Sequence, residues 1–169
     1  YALQVMSQRR LTLVHPYDDE KVIAGQGTIA LEMLAAQPQL DVLVVPVGGG
    51  GMIAGMATAA KAIKPGIAVI GVQTVRFPSM HAALHGLHPE FGSTTIADGI
   101  AVREPGKLTL ELVRRKGDDI LLVDEGDIEE AMLLLLEIEK TVVEGAGAAG
   151  LAGVLRNRER FSGKHVGIV

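Results

Sequence analysis

The chain has 169 residues, 48% of them hydrophobic, 3% aromatic and 21% charged, a composition that predicts one globular domain with a core of Val, Ile, Leu and Ala. A formal net charge of -4 supplies no basic field for a phosphate backbone and excludes nucleic acid as a partner. The absence of cysteine excludes disulfides, thiolate metal sites and a cysteine nucleophile, and fits a cytoplasmic setting.

Residues 1–10 show no charged segment followed by an apolar one. The apolar runs Val42–Val47 and Met132–Leu136 fall well short of the roughly 18 residues that span a bilayer, so no membrane association is expected. With no initiator methionine and a strand-like run at its end, the sequence reads as a segment of something longer.

In chain order, Leu11–Val14 predicts a first strand. Asp18, Asp19 and Glu20 follow on a loop, where adjacent acids serve better as helix caps than as a catalytic carboxylate pair. A helix is expected over Gly27–Leu34, with Gly25-Gln-Gly-Thr28 starting it tightly against the sheet. Then come a strand at Val42–Val47, a helix at Met52–Ile63 and a strand at Ile67–Val72. Phe77–Glu104 has little periodicity and reads as a lid or flap. Within it, His81, His85 and His88 have metal-face spacing. Gly86 and Pro89 break such a helix and no carboxylate accompanies them, so they are expected to be surface histidines in a loop. A helix at Leu108–Arg115 and a strand at Ile120–Val123 lead to a helix over Ile128–Val142, opened by Asp124-Glu-Gly-Asp127, and Val166–Val169 is the last strand. This alternation predicts an α/β fold, an open parallel sheet with right-handed crossovers and helices on both faces, binding its ligand beyond the carboxyl ends of the strands.

The strongest local signal is Gly48-Gly49-Gly50-Gly51 between a strand and a helix. Without Cβ atoms the backbone can approach a ligand closely, and successive N–H groups with the helix N-terminus converge on an anion, for which phosphate is the natural guest. A tight turn alone would need one glycine. A P-loop reading fails because Gly51-Met52-Ile53 supplies neither lysine nor hydroxyl. Gly49, Gly51 and Ala54 formally meet the dinucleotide fingerprint, but the second strand ends in Val72-Gln73, without the acidic residue that holds a ribose.

The stretch Val45-Pro-Val-Gly-Gly-Gly-Gly-Met-Ile-Ala-Gly55 resembles the tetraglycine loop of the threonine/serine dehydratase family of pyridoxal-phosphate enzymes. His15-Pro-Tyr-Asp-Asp19, Val22-Ile-Ala-Gly-Gln-Gly-Thr28, Ala97-Asp-Gly99 and Val143-Glu-Gly-Ala-Gly147 are similar to further family blocks in the same order. With Gly71-Val-Gln73 and Arg103-Glu-Pro-Gly106, the pattern is most similar to the catabolic threonine dehydratase type. The resemblance implies the large cofactor domain of the tryptophan synthase beta-like, fold type II enzymes. Residues 1–169 would form the C-terminal part of that domain, and 1–10 the tail of a preceding smaller domain or linker.

The resemblance further implies that pyridoxal 5'-phosphate is the cofactor, its phosphate held by the amides of Gly48, Gly49, Gly50, Gly51 and Met52, with Gly99 and Glu144 lining its ring. The implied reaction of the parent enzyme is dehydration and deamination of L-threonine and L-serine to a 2-oxo acid and ammonia, in amino-acid metabolism including isoleucine biosynthesis. None of Lys21, Lys61, Lys64, Lys107, Lys116, Lys140 and Lys164 lies in the family's Ser-x-Lys-x-Arg-Gly context. All seven read as solvated, and the Schiff-base lysine is expected upstream, so no residue of this segment is catalytic and the segment alone is expected to be inactive. The serine that partners the pyridine nitrogen, and any effector region, would follow Val169. Some relatives hold a divalent cation with an acidic pair where this chain has Gln73 and Ser79, neither a good ligand for a hard cation. No metal is expected, and a racemase reading is disfavoured. The other readings are a β-replacement relative or a non-catalytic phosphate-binding paralogue. The partners implied are a small amino-acid substrate and copies of the chain itself, in a homodimer or homotetramer.

Overall fold

A computed structural model describes residues 2–169, with side chains from Gln4 onward. The centre is a four-stranded sheet in the order β3-β2-β1-β4, made of β1 (Val42–Pro46), β2 (Ala68–Thr74), β3 (Asp119–Val123) and β4 (Val166–Ile168). All three pairings are parallel, with Val44 opposite both Ile70 and Ile168, and Val72 opposite Leu121. These are four of the five strands expected from sequence. Successive strand side chains point to opposite faces, so Leu43 and Val45 join one buried cluster and Val42 and Val44 the other. Parallel strands covered on both sides need apolar residues at every position, which is why β1 reads as an unbroken apolar run.

On one face lie α2 (Glu20–Ala36), α3 (Gly51–Ile63), α4 (Ser79–His85) and α5 (Lys107–Lys116), and on the other α6 (Glu125–Glu137) and α7 (Gly145–Arg156). The short helices α1 (Ala2–Arg9) and α8 (Arg158–Phe161) complete the set.

Four sequence expectations change. Leu11–Val14 is no strand: the segment has no ladder partner among the described residues and leaves Leu11, Leu13 and Val14 exposed. The helix expected over Gly27–Leu34 starts seven residues earlier, at Glu20, where the Asp19 carboxylate caps the N–H groups of Lys21 and Val22. Its Gly25–Thr28 stretch packs on α3 and not on the sheet: a Cβ at Gly55 would fall 2.1 Å from the Ile23 carbonyl and 2.7 Å from the Gly27 nitrogen. The helix expected over Ile128–Val142 ends at Glu137. Ile138 and Val142 continue the apolar pattern but find nothing to cover them, and Lys140 turns the chain at φ 57°.

The fourth is α7, whose segment Gly145-Ala-Gly-Ala-Ala-Gly150 shows no two-sided pattern because nearly every position is small and buried. Its glycines let the helix lie against the strands: a Cβ at Gly153 would meet Val72 Cγ2 at 2.6 Å, and one at Gly150 would meet Ile168 Cγ2 at 2.7 Å. Packing against the sheet outweighs the poor helix propensity of glycine.

Candidate cofactor site

Strand β1 continues its ladder by one bond, Val47 N–H to the Val72 carbonyl at 2.8 Å, and then the four glycines turn the chain into α3. Gly50 is the N-cap of α3 with φ 95°, a left-handed conformation natural to glycine, and its carbonyl accepts the Ala54 N–H. No side chain caps this helix. The N–H groups of Gly48, Gly49, Gly50, Gly51 and Met52 have no hydrogen-bond partner among the described residues, although Gly49, Gly50 and Gly51 are buried. More than nine in ten buried backbone donors are normally paired. Five consecutive free donors at a strand's carboxyl end and a helix N-terminus are the arrangement that an anion satisfies.

The turn is tightly walled. A Cβ at Gly49 would lie 2.4 Å from the Tyr17 ring, one at Gly50 2.4 Å from Met80 Cε, and one at Gly48 3.1 Å from Val102 Cγ2. Gly48 also faces Ile100 and the Gly99 carbonyl, and Gly99 faces Glu144, whose Oε1 is 3.2 Å from the place of a Gly99 Cβ. The turn, Gly99 and Glu144 therefore converge on one edge of the fold. Glu144 is exposed at the N-cap of α7. The approach to that edge is fixed by Glu125, which accepts the Thr95 hydroxyl at 2.7 Å, the Ile96 N–H at 2.8 Å and the Thr74 hydroxyl at 3.2 Å. Burial raises the Glu125 carboxyl, but these three donors and the nearby Arg76 outweigh it and hold the group below its ordinary value.

Several residues behave differently from their sequence reading. Asp19 caps α2 as expected, but Asp18 caps α5, accepting the N–H groups of Lys107, Leu108 and Thr109. His81 and His85 lie on α4 and not in a loop. Their rings are 4.4 Å apart, and their Nδ1 atoms are spent on the carbonyls of Ile120 and His81. No group of three His, Asp or Glu side chains could hold a metal ion among the described residues. Lys61 and Lys64 are not merely solvated: Lys61 pairs with Asp118 at 2.8 Å, and Lys64 Nζ donates to the Leu40 carbonyl at 2.7 Å.

Gln73 is fully buried. Its Nε2 donates to the Val47 carbonyl at 3.1 Å and to Ser79 Oγ at 3.4 Å, while its Oε1 accepts the His81 N–H at 2.9 Å. The two positions therefore close on each other as a neutral pair. The sequence reading assigned no role at the turn to Tyr17, Met80 or Thr109; the block His15-Pro-Tyr-Asp-Asp19 was the only signal pointing at any of them.

A parallel α/β sheet with a glycine turn of free amides at its carboxyl edge defines a phosphate-binding domain of the doubly covered class. The sequence pattern of the family described as pyridoxal-phosphate dependent enzyme matches residues 1–169, and the chain belongs to that family. It is 49% identical over 170 residues to an L-threonine ammonia-lyase of Thermotoga maritima, covering 99% of this chain and 42% of that protein. It is 45% identical over 159 residues to the catabolic L-threonine dehydratase of Escherichia coli K12, covering 92% and 48%. Among solved structures, a threonine deaminase from the organism abbreviated T.th. superposes with a TM-score of 0.93 at 37% identity, covering 99% of this chain and 62% of that one. Maize serine racemase gives a TM-score of 0.89 at 36% identity, covering 98% and 52%. The chain thus spans less than half the length of the curated relatives it matches. The cofactor of the family is pyridoxal phosphate, and the turn fits its phosphate: buried donors stand free where a Cβ would close the space.

Proposed function

We propose that the whole protein is a pyridoxal-phosphate-dependent L-threonine ammonia-lyase that also accepts L-serine, removing water and ammonia to leave a 2-oxo acid. The observation that carries this reading is the run of free buried amides from Gly48 to Met52 in a chain whose relatives bear that activity in their names. In this reading those amides and the N-terminal end of α3 hold the cofactor phosphate as a dianion. Gly99, lacking a Cβ, lets the ring lie against the backbone, with the Glu144 carboxylate beside it. Pyridoxal phosphate, when bound, supplies the electron sink for loss of the Cα proton and the β-hydroxyl. The residues of this chain contribute position: they anchor one end of the cofactor and wall it with Tyr17, Val102 and Met80.

Residues 1–169 are taken as the C-terminal part of the cofactor domain, with 1–10 as the tail of what precedes it. The lysine that holds the cofactor is placed outside these residues, since Lys61, Lys64 and Lys140 are already engaged. The hydrogen-bonded Gln73–Ser79 pair supports a lyase over a cation-dependent racemase. The catabolic name of the Escherichia coli relative favours a degradative role over isoleucine biosynthesis. No described helix is long and apolar enough to cross a membrane, and a cytoplasmic homo-oligomer completes the proposal.

Borohydride reduction of the whole protein with pyridoxal phosphate, peptide mapping, and a 2-oxo acid assay on L-threonine form the test. Label on a lysine outside this sequence, together with product from threonine, supports the reading. Label on any of the seven lysines here, or no product, overturns it.

A further inference from the structure

The block His15-Pro-Tyr-Asp-Asp19 has no part in the function so far, yet it is coupled to the glycine turn. The Asp18 carboxylate accepts the N–H groups of Lys107 at 3.0 Å, Leu108 at 2.9 Å and Thr109 at 3.1 Å. Those are first-turn donors of α5 that its own N-cap, Gly106, has no side chain to satisfy. So anchored, the start of α5 aims two donors at a single acceptor. The Gly106 N–H at 3.2 Å and the Thr109 hydroxyl at 2.7 Å both reach the Gly49 carbonyl. Thr109 is fully buried. Its hydroxyl also lies 3.2 Å from the Gly106 carbonyl, but it has one hydrogen to give, and the shorter contact takes it.

The consequence follows from the planarity of the peptide. In a trans unit the carbonyl and the next N–H point in opposite directions, so drawing the Gly49 carbonyl toward α5 turns the Gly50 N–H to the far side of the turn. The next unit is fixed in the same way, because the Gly50 carbonyl accepts the Ala54 N–H within α3, which leaves the Gly51 N–H pointing away from the helix. A run of four glycines has little preference of its own for this arrangement, and the two external bonds supply it.

We propose that Asp18 and Thr109 are positioning residues for the phosphate cradle, acting through the Gly49 carbonyl to keep the amides of the turn free and convergent before the cofactor arrives. This rests on the cofactor reading above. Neither residue is assigned contact with the reacting atoms.

The test is equilibrium titration of the full-length apo-protein with pyridoxal 5'-phosphate and, separately, with pyridoxal, which lacks the phosphate. Thr109→Val keeps the shape of the side chain and removes only the hydroxyl. It is expected to weaken pyridoxal phosphate about tenfold, the scale of one hydrogen bond, to leave pyridoxal unchanged, and to be rescued by Thr109→Ser. Asp18→Ala is expected to act in the same direction, and if it does not fold the Thr109 pair decides. Equal weakening of both ligands, or an unchanged preference in Thr109→Val, overturns the clamp while the cofactor reading stands. A wild-type protein that binds pyridoxal phosphate no better than pyridoxal overturns the cradle and the clamp together.

Discussion

At Gly50 backbone conformation and packing act on the same atom. A side chain there would adopt φ 95° and set its Cβ 2.4 Å from Met80 Cε. The left-handed conformation alone costs an L-residue about 1–2 kcal/mol, while the methionine tip can move. Gly50→Ala is therefore expected to lower stability by about that amount and to release the cofactor on gel filtration, read from the urea midpoint and the absorbance of the eluted protein. Gly66 has open space around its Cβ position and no positive φ. Gly66→Ala should leave both readouts unchanged or raise stability slightly.

Glu125 sets a pH dependence at the same scale. Burial raises its carboxyl, and the hydrogen bonds from Thr95, Ile96 and Thr74 more than offset this, so the folded value lies below the ordinary 4.5. A depressed carboxyl contributes stability above its unfolded value and loses it as pH falls through the folded one. The melting temperature of the wild type should drop faster below about pH 4.5 than that of Glu125→Gln. At neutral pH the variant should be less stable by roughly 1 kcal/mol, the value of a charged hydrogen-bond set discounted for its solvent exposure. Parallel pH profiles would overturn this account.

Among the elements, the crossing of α2 and α3 is the least tolerant of change. A Cβ at Gly55 would meet backbone, the Ile23 carbonyl at 2.1 Å, and backbone cannot yield as a side-chain tip can. Gly55→Ala should cost at least about 1–3 kcal/mol, as overpacking does, and lower the urea midpoint accordingly. At the start of α6, Asp124 and Asp127 form a reciprocal capping box that the sequence announced, Asp124 accepting the Asp127 N–H at 3.0 Å. Asp124→Ala should destabilise by about 1 kcal/mol. Its exposed contact with Arg156 at 3.4 Å adds little to that figure. Helix α7 escaped sequence reading for a physical reason: a helix of Gly and Ala buried along most of its length has no polar face to set a period.

For the whole molecule, two apolar clusters on opposite faces of the sheet leave the carboxyl edge as the place where the glycine turn, Gly99 and Glu144 meet. The largest apolar cleft, between α2, α3 and α5, is lined by Ile23, Leu31, Leu108 and Leu112 and includes none of the residues Gly48–Met52. It offers no chemistry comparable to the free amides.

The sequence by itself determined the alternation of buried strands and helices, the glycine turn at a strand end, the capping roles of Asp19 and Asp124, and the family. Each of these depends on neighbours within a few residues, where steric preference and local hydrogen bonding act directly. Only the tertiary structure decided that Leu11–Val14 lies outside the sheet, that α7 forms, that Gln73 closes on Ser79, and that Asp18 reaches across to α5 to hold the turn. Those outcomes depend on which surfaces are brought together by burial, and a donor such as the Thr109 hydroxyl acquires its acceptor, the Gly49 carbonyl, only when two segments distant in sequence share one buried space.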